Sequence, residues 1–218
     1  MKKFLFFLLL LIMGPTTFAG DGPSFFMLKG SYSLPVGDYA SYDLEQGCFT
    51  TNGLTLGVEG AWYIHKNFGV GADLSYSMHT VDAIGIANKI IEDAILLNQL
   101  YVRSDPYRMI SSMAGLYYSF QIIERLRVEP KFLAGMMFGR TPWQLYEQEL
   151  FLLGDNYYKI TPSNAHAFAF KAGMSVKYQV SDCIALSMHA DYSQSQLSFS
   201  FYSSDQLVYK DKKIAFFD

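Results

Sequence analysis

Residues 68–79 read Phe-Gly-Val-Gly-Ala-Asp-Leu-Ser-Tyr-Ser-Met-His, with an apolar side chain at every second position. Phe68, Val70, Ala72, Leu74, Tyr76 and Met78 share one face of an extended chain, and Gly69, Gly71, Asp73, Ser75, Ser77 and His79 share the other. Successive side chains of a strand point to opposite sides, so this period of two predicts a strand with one apolar and one polar face. The run is also long. A globular strand has about 5–6 residues, whereas a strand that crosses a bilayer needs roughly 9–11.

The pattern recurs along the chain. Between Phe168 and Gln179, the residues Phe168, Phe170, Ala172, Met174, Val176 and Tyr178 oppose Ala169, Lys171, Gly173, Ser175, Lys177 and Gln179. Ile184, Leu186, Met188, Ala190 and Tyr192 oppose Ala185, Ser187, His189, Asp191 and Ser193. Less regular copies cover Phe26 to Leu34, Leu54 to Ile64, Ser112 to Ile122 and Val128 to Phe138. Seven strands are clear. Tight turns at His65-Lys66-Asn67, Glu124-Arg125 and Ser181-Asp182 alternate with long links near Pro35 to Gly53, Thr80 to Arg108 and Arg140 to His166. A secreted β-sandwich would share the alternation, but short turns on one rim and long loops on the other are the asymmetry of outer-membrane barrels. An open sheet edge is not tolerated in lipid, so the expectation is an antiparallel, up-and-down transmembrane β-barrel of eight strands.

Composition agrees with an exported, membrane-embedded chain. Aromatic residues make up 17% and charged residues only 17% of 218 residues, against a usual charged share of about a quarter. Lys2 and Lys3, the apolar run Phe4 to Met13, and small residues at Thr17 and Ala19 read as a secretory signal peptide over residues 1–19, which leaves a single barrel domain over 20–218. Basic residues number 17 against 20 acidic ones, and losing Lys2 and Lys3 deepens the acidic balance. That excludes the electrostatic footprint of a nucleic-acid binder.

Gly30 to Tyr39 (Gly-Ser-Tyr-Ser-Leu-Pro-Val-Gly-Asp-Tyr), Gly71 to Tyr76 (Gly-Ala-Asp-Leu-Ser-Tyr) and Ala190 to Gln194 (Ala-Asp-Tyr-Ser-Gln) carry a family look. With the turn pattern, they resemble the eight-stranded outer-membrane barrel domain common in Bacteroidota, of the "porin family" or OmpA/OmpX-like type. The resemblance spans nearly the whole mature chain. It implies an outer-membrane location and assembly by the outer-membrane machinery, and no single shared activity. Members usually finish with a full strand ending in an aromatic. Here the polar run Lys210, Asp211, Lys212, Lys213 precedes Ile214 to Asp218. The expectation is an eighth strand that is short, or truncated by about ten residues.

With the apolar face on lipid, the other face lines the interior. Its ionisable residues are Lys29, Glu59, Asp73, Glu129, Lys131, Lys171, Lys177, His189 and Asp191, nearly balanced in charge. Eight strands leave a lumen just wide enough for side chains, where charges must be paired. A structural ion-pair network is expected, with a narrow porin-like channel for small solutes or apolar molecules as the alternative. His189, Asp191 and Ser193 lie two apart on one strand face, so Cα atoms roughly 6.5–7 Å apart do not place a Ser-His-Asp site. The lipid A deacylases of this architecture carry a His-aromatic-Ser-Asn run, and His189-Ala-Asp-Tyr-Ser193 does not match it. No enzymatic activity and no cofactor are expected, and His65, His79, His166 and His189 show no zinc spacing.

Trp62, Tyr63, Phe68, Tyr117, Tyr118 and Tyr178 fall near the short-turn ends and suit an interfacial girdle. Within the second long link, Ile86, Ile90, Ile91, Ala94 and Leu97 recur at helical spacing, so Asp82 to Leu97 predicts an amphipathic helix across the barrel rim or on the membrane surface, its apolar stripe packing on the barrel mouth or serving a partner or ligand. Gln144 to Lys159 is apolar enough to extend the barrel as a hairpin or dock on a partner. Cys48 and Cys183 fall at opposite ends, about 25–30 Å apart, beyond the roughly 7 Å that a disulfide allows. Two free thiols are expected. The role implied is a structural or interaction barrel in the envelope, with outer-membrane lipids and a possible envelope protein as partners.

Overall fold

The computed structural model describes residues 24–93, 97–150, 154–181, 184–203 and 206–218. The expected signal peptide lies outside the described residues, as does Cys183. The first half of the chain forms β1 (Phe25–Pro35), a 3-10 turn (Gly37–Tyr39), β2 (Thr50–Tyr63), β3 (Phe68–Val81), a helix α1 (Ala83–Asp93), β4 (Leu97–Ser104) and β5 (Tyr107–Tyr118). The second half forms β6 (Phe120–Ile123), β7 (Leu126–Arg140), β8 (Gln144–Leu150), β9 (Gly154–Ile160), β10 (Asn164–Gln179), β11 (Ala185–Ser203) and β12 (Gln206–Phe217).

Eight strands form one antiparallel ring, in the order β1, β2, β3, β5, β7, β10, β11, β12. Each sequential pair is joined by a local connection, which is the up-and-down arrangement that the alternation predicts. The ladders are long: β10 pairs with β7 from Asn164↔Arg140 to Tyr178↔Leu126, and β2 with β3 from Thr50↔Val81 to Tyr63↔Gly69. The closing pair differs. β12 meets β1 only at Leu34↔Phe217 and Pro35↔Phe216, with one further bond from the Val36 amide to the Ala215 carbonyl at 2.9 Å. On its other side β12 follows β11 from Ser203↔Gln206 to Tyr192↔Phe217. The ring is therefore zipped by backbone at the loop end, while β1 from Phe25 to Ser33 pairs with β2 alone among the described residues.

Three expectations change in detail. The eighth strand starts at Gln206, so the Lys210 to Lys213 run lies inside it, opposite Phe199, Ser198, Leu197 and Gln196 of β11. The strand expected over Ser112 to Ile122 is interrupted at Ser119, because its amide donates to the Asn67 carbonyl at 2.7 Å instead of to the ladder. The Gln144 to Lys159 link is indeed a hairpin, but it joins β4 in a separate three-stranded sheet at the loop end, with β8 between β4 and β9. The helix α1 starts at an Asp82 cap, whose carboxylate accepts from the Gly85 amide at 2.9 Å and from the Tyr42 hydroxyl at 3.0 Å. Ile86 and Ala87 are buried with Leu100, Val102 and Tyr146, so the apolar stripe packs on the small sheet, while Ile91 is exposed and Ala94 lies outside the described residues.

The faces are inverted relative to a soluble protein. Leu28 and Met188 are each 78% exposed on the outside, whereas inside Glu59 is 1% and Asp191 0% exposed. Trp62, Phe68, Tyr118 and Tyr178 are exposed outward near the short turns. Tyr63 and Tyr117 are not part of that girdle: they fall on the inward parity of β2 and β5 and are buried in the interior. No described helix is long and apolar enough to cross a membrane, which bears only on helices.

Candidate functional site

The interior face brings together side chains that are far apart in sequence. Lys29 comes from β1, Glu59 from β2, Asp73 from β3, Lys131 from β7, Lys171 from β10 and Asp191 from β11. Alternation turns each one inward, and the register sets them at one height. Glu59 is directly opposite Asp73, and Gly173 lies between Lys131 on one side and Asp191 on the other. Gly173 is needed there, because a Cβ at 173 would overlap the Asp191 carboxylate.

Each ammonium bridges carboxylates from different strands. Lys29 Nζ lies 2.5 Å from Asp73 Oδ2, 3.2 Å from Asp191 Oδ2 and 3.4 Å from Glu59 Oε2. Lys131 Nζ lies 2.7 Å from Glu59 Oε2 and 2.8 Å from Asp191 Oδ2. Lys171 Nζ lies 2.8 Å from Asp73 Oδ1 and 3.9 Å from Asp218 Oδ2. A second, smaller group sits toward the short turns, where Lys177 Nζ is 2.6 Å from Glu129 Oε2 and covers the Phe25 ring. Removing a charge from water costs several kcal/mol, and one ion pair repays that only with good geometry. Here cations and anions from different strands converge in the interior, so each charge has an oppositely charged partner. At an effective dielectric near 20, a contact at about 4 Å contributes roughly 4 kcal/mol, comparable to the cost that it offsets.

Above this level the interior becomes neutral, then apolar. The Ser75 hydroxyl donates to Asp73 Oδ1 at 3.0 Å and lies 2.7 Å from Ser111 Oγ, and the Thr55 hydroxyl donates to Ser77 Oγ at 2.8 Å. Ser33 Oγ and His79 Nε2 are 2.7 Å apart, but both side chains are fully buried, so no substrate reaches them. Met109, Met137, Leu197, Phe199, Ile214 and Phe216 then close the interior with Tyr39. These side chains are buried against one another, while toward the short turns a cavity of about 410 Å³ remains beside Met27, Glu129 and Lys177.

Eight of the nine expected interior residues fall into these two ion-pair groups. The exception is His189, which is half-buried and takes no ion pair. Among the described residues neither His189 Nε2 nor Ser193 Oγ has a hydrogen-bond partner, so the two are not bonded to each other as base and nucleophile. The sequence reading missed Asp218, which adds a fifth carboxylate to the interior through Lys171 and through paired backbone bonds with Asp191. Its parity relative to β12 was readable only once the strand was known to begin at Gln206. Among the described residues, no group of His, Cys, Asp and Glu is placed to hold a metal.

No family model matches the chain, and no curated protein matches it. Among solved structures the chain is similar to Ail, the attachment invasion locus protein of Yersinia pestis, at 13% identity. The TM-score is 0.40, and the likeness covers 88% of this chain and 95% of that one. The eight-strand ring rests on the pairings of this chain itself.

Proposed function

We propose that this chain is an integral outer-membrane β-barrel of the Bacteroidota type, exported by a cleaved signal peptide, with a structural or interaction role in the envelope. The inverted distribution of faces carries this reading: an apolar, aromatic exterior around a charged, buried interior is stable only if the surrounding solvent is lipid. The short turns then face the periplasm, and α1 with the β4-β8-β9 sheet faces outward. Its partners are outer-membrane lipids, the assembly machinery and an envelope protein met through the loops. The buried, paired charges that cross the interior support a structural barrel over an open channel.

Fractionation of cells expressing the full chain tests the location. The expected result is recovery in the outer-membrane fraction, with faster gel mobility before boiling than after it. A soluble periplasmic protein with unchanged mobility would sink the proposal. Planar-bilayer recording tests the lumen, where steady open channels would establish the porin-like alternative instead.

A further inference from the structure

The loop end holds a cavity of about 430 Å³ that the ion-pair network does not use. That lies within the range of roughly 300–1,000 Å³ typical of small-molecule sites. Its lining includes the apolar Phe49, Ile86 and Ile90 together with Lys159, Lys210 and Lys212, and no carboxylate lines it among the described residues. Lys159 and Lys210 are exposed and have no ion-pair partner among the described residues. Lys212 is anchored, donating to the Gly47 carbonyl at 2.8 Å and the Glu45 carbonyl at 3.1 Å. Burial, with a smaller push from Lys210, holds its pKa below the usual lysine value.

Backbone strain sits at the same place. Phe49 has φ 52, the left-handed region that bulky residues avoid. It is held there by bonds on both sides: its amide donates to the Ser41 carbonyl at 3.1 Å, and its carbonyl accepts from the Asp82 amide at 2.8 Å. Strained residues persist where the surroundings over-determine them, commonly at ligand clamps. Phe49 and Ile86 belong to the same buried apolar cluster, and both line the cavity.

A cavity lined by apolar side chains and by three lysines matches a ligand with both characters. We propose that it binds an amphipathic anion, an alkyl chain with a carboxylate head. The head meets Lys159 and Lys210, and the chain lies on Phe49, Ile86 and Ile90. Nonspecific anion binding needs no apolar wall, and an apolar ligand alone needs no lysines.

Calorimetry with the full chain in zwitterionic lipid nanodiscs tests this, using decanoate as the probe and empty nanodiscs as the partition control. The expected result is saturable decanoate binding above the control and none for decyltrimethylammonium. The K159Q/K210Q variant changes two exposed residues and leaves Lys212 in place; it is expected to weaken decanoate about ten-fold or more, given the strength of charged hydrogen bonds. Decanoate uptake no greater than in empty discs would overturn the site. So would equal binding of the cationic probe, or unchanged affinity in K159Q/K210Q. Competition by inorganic phosphate as potent as by decanoate would overturn the amphipathic class.

Discussion

Lys29 on β1 and Asp191 on β11 lie 3.2 Å apart, across the one junction of the ring that has almost no backbone ladder of its own. The ammonium also reaches Asp73 and Glu59, so this side chain ties β1, β2, β3 and β11 together. Where β12 does not run between β1 and β11, buried charge bridges the two strands. The contact of Ser187 Oγ with Met27 Sδ at 3.5 Å is the other link there among the described residues.

Replacing Lys29 by Met leaves Asp73, Glu59 and Asp191 sharing two remaining cations. The expected loss is about 3–5 kcal/mol, the cost of breaking a buried pair. Urea unfolding of the refolded barrel in detergent measures it, and adding D191N to K29M should recover part of the loss. The exposed pair of Lys89 and Glu92 is the contrast, since K89M should leave unfolding unchanged. Equal effects at the two lysines would falsify the bracing role.

Gly173→Ala should destabilise by about 1–3 kcal/mol, because the new methyl displaces the Asp191 carboxylate from its partners. At Gly30 an added Cβ meets only Leu56 Cδ2 at 3.4 Å, so G30A is expected to be near neutral. The same unfolding assay compares them, and a neutral G173A would show that the network shifts freely.

Leu74, in the middle of β3, is exposed on the apolar exterior. In a bilayer Leu74→Arg should cost about 2–4 kcal/mol, as a lipid-facing charge near the midplane does. Folding yield into liposomes, read by the mobility shift before boiling, reports it. In a water-exposed sheet the same change would be harmless, so an unchanged yield argues against lipid contact.

Cys48 is buried at the loop end, and that burial pushes its thiol above the ordinary cysteine value. The reactive form is the thiolate, so at pH 8 less of it is present than in an unfolded peptide. Alkylation by iodoacetamide, followed on the Cys48 peptide by mass spectrometry, should run slower in the folded protein, because burial both disfavours the thiolate and blocks access to it. It should speed up as pH rises. Equal rates folded and unfolded would place Cys48 in open solvent.

The sequence alone determined the strands, their inward and outward parity, the up-and-down order and the identity of most interior charges. All of these follow from a period of two, which depends only on local backbone geometry. Parity alone correctly turned Lys29, Glu59, Asp73, Lys131, Lys171 and Asp191 inward. It could not say which cation meets which anion, because partners such as Lys29 and Asp191 are set by register across many strands and by the room left at Gly173. Tyr63 and Tyr117 differ: their parity already turns them inward, and nearness to a turn does not put them in the outer girdle. Only the tertiary structure decided that β12 begins at Gln206, that the links fold into α1 and a second sheet, and that their lysines and apolar residues converge on one cavity. Local periodicity specifies what a residue faces. Convergence of distant loops depends on long-range packing, which no local pattern encodes.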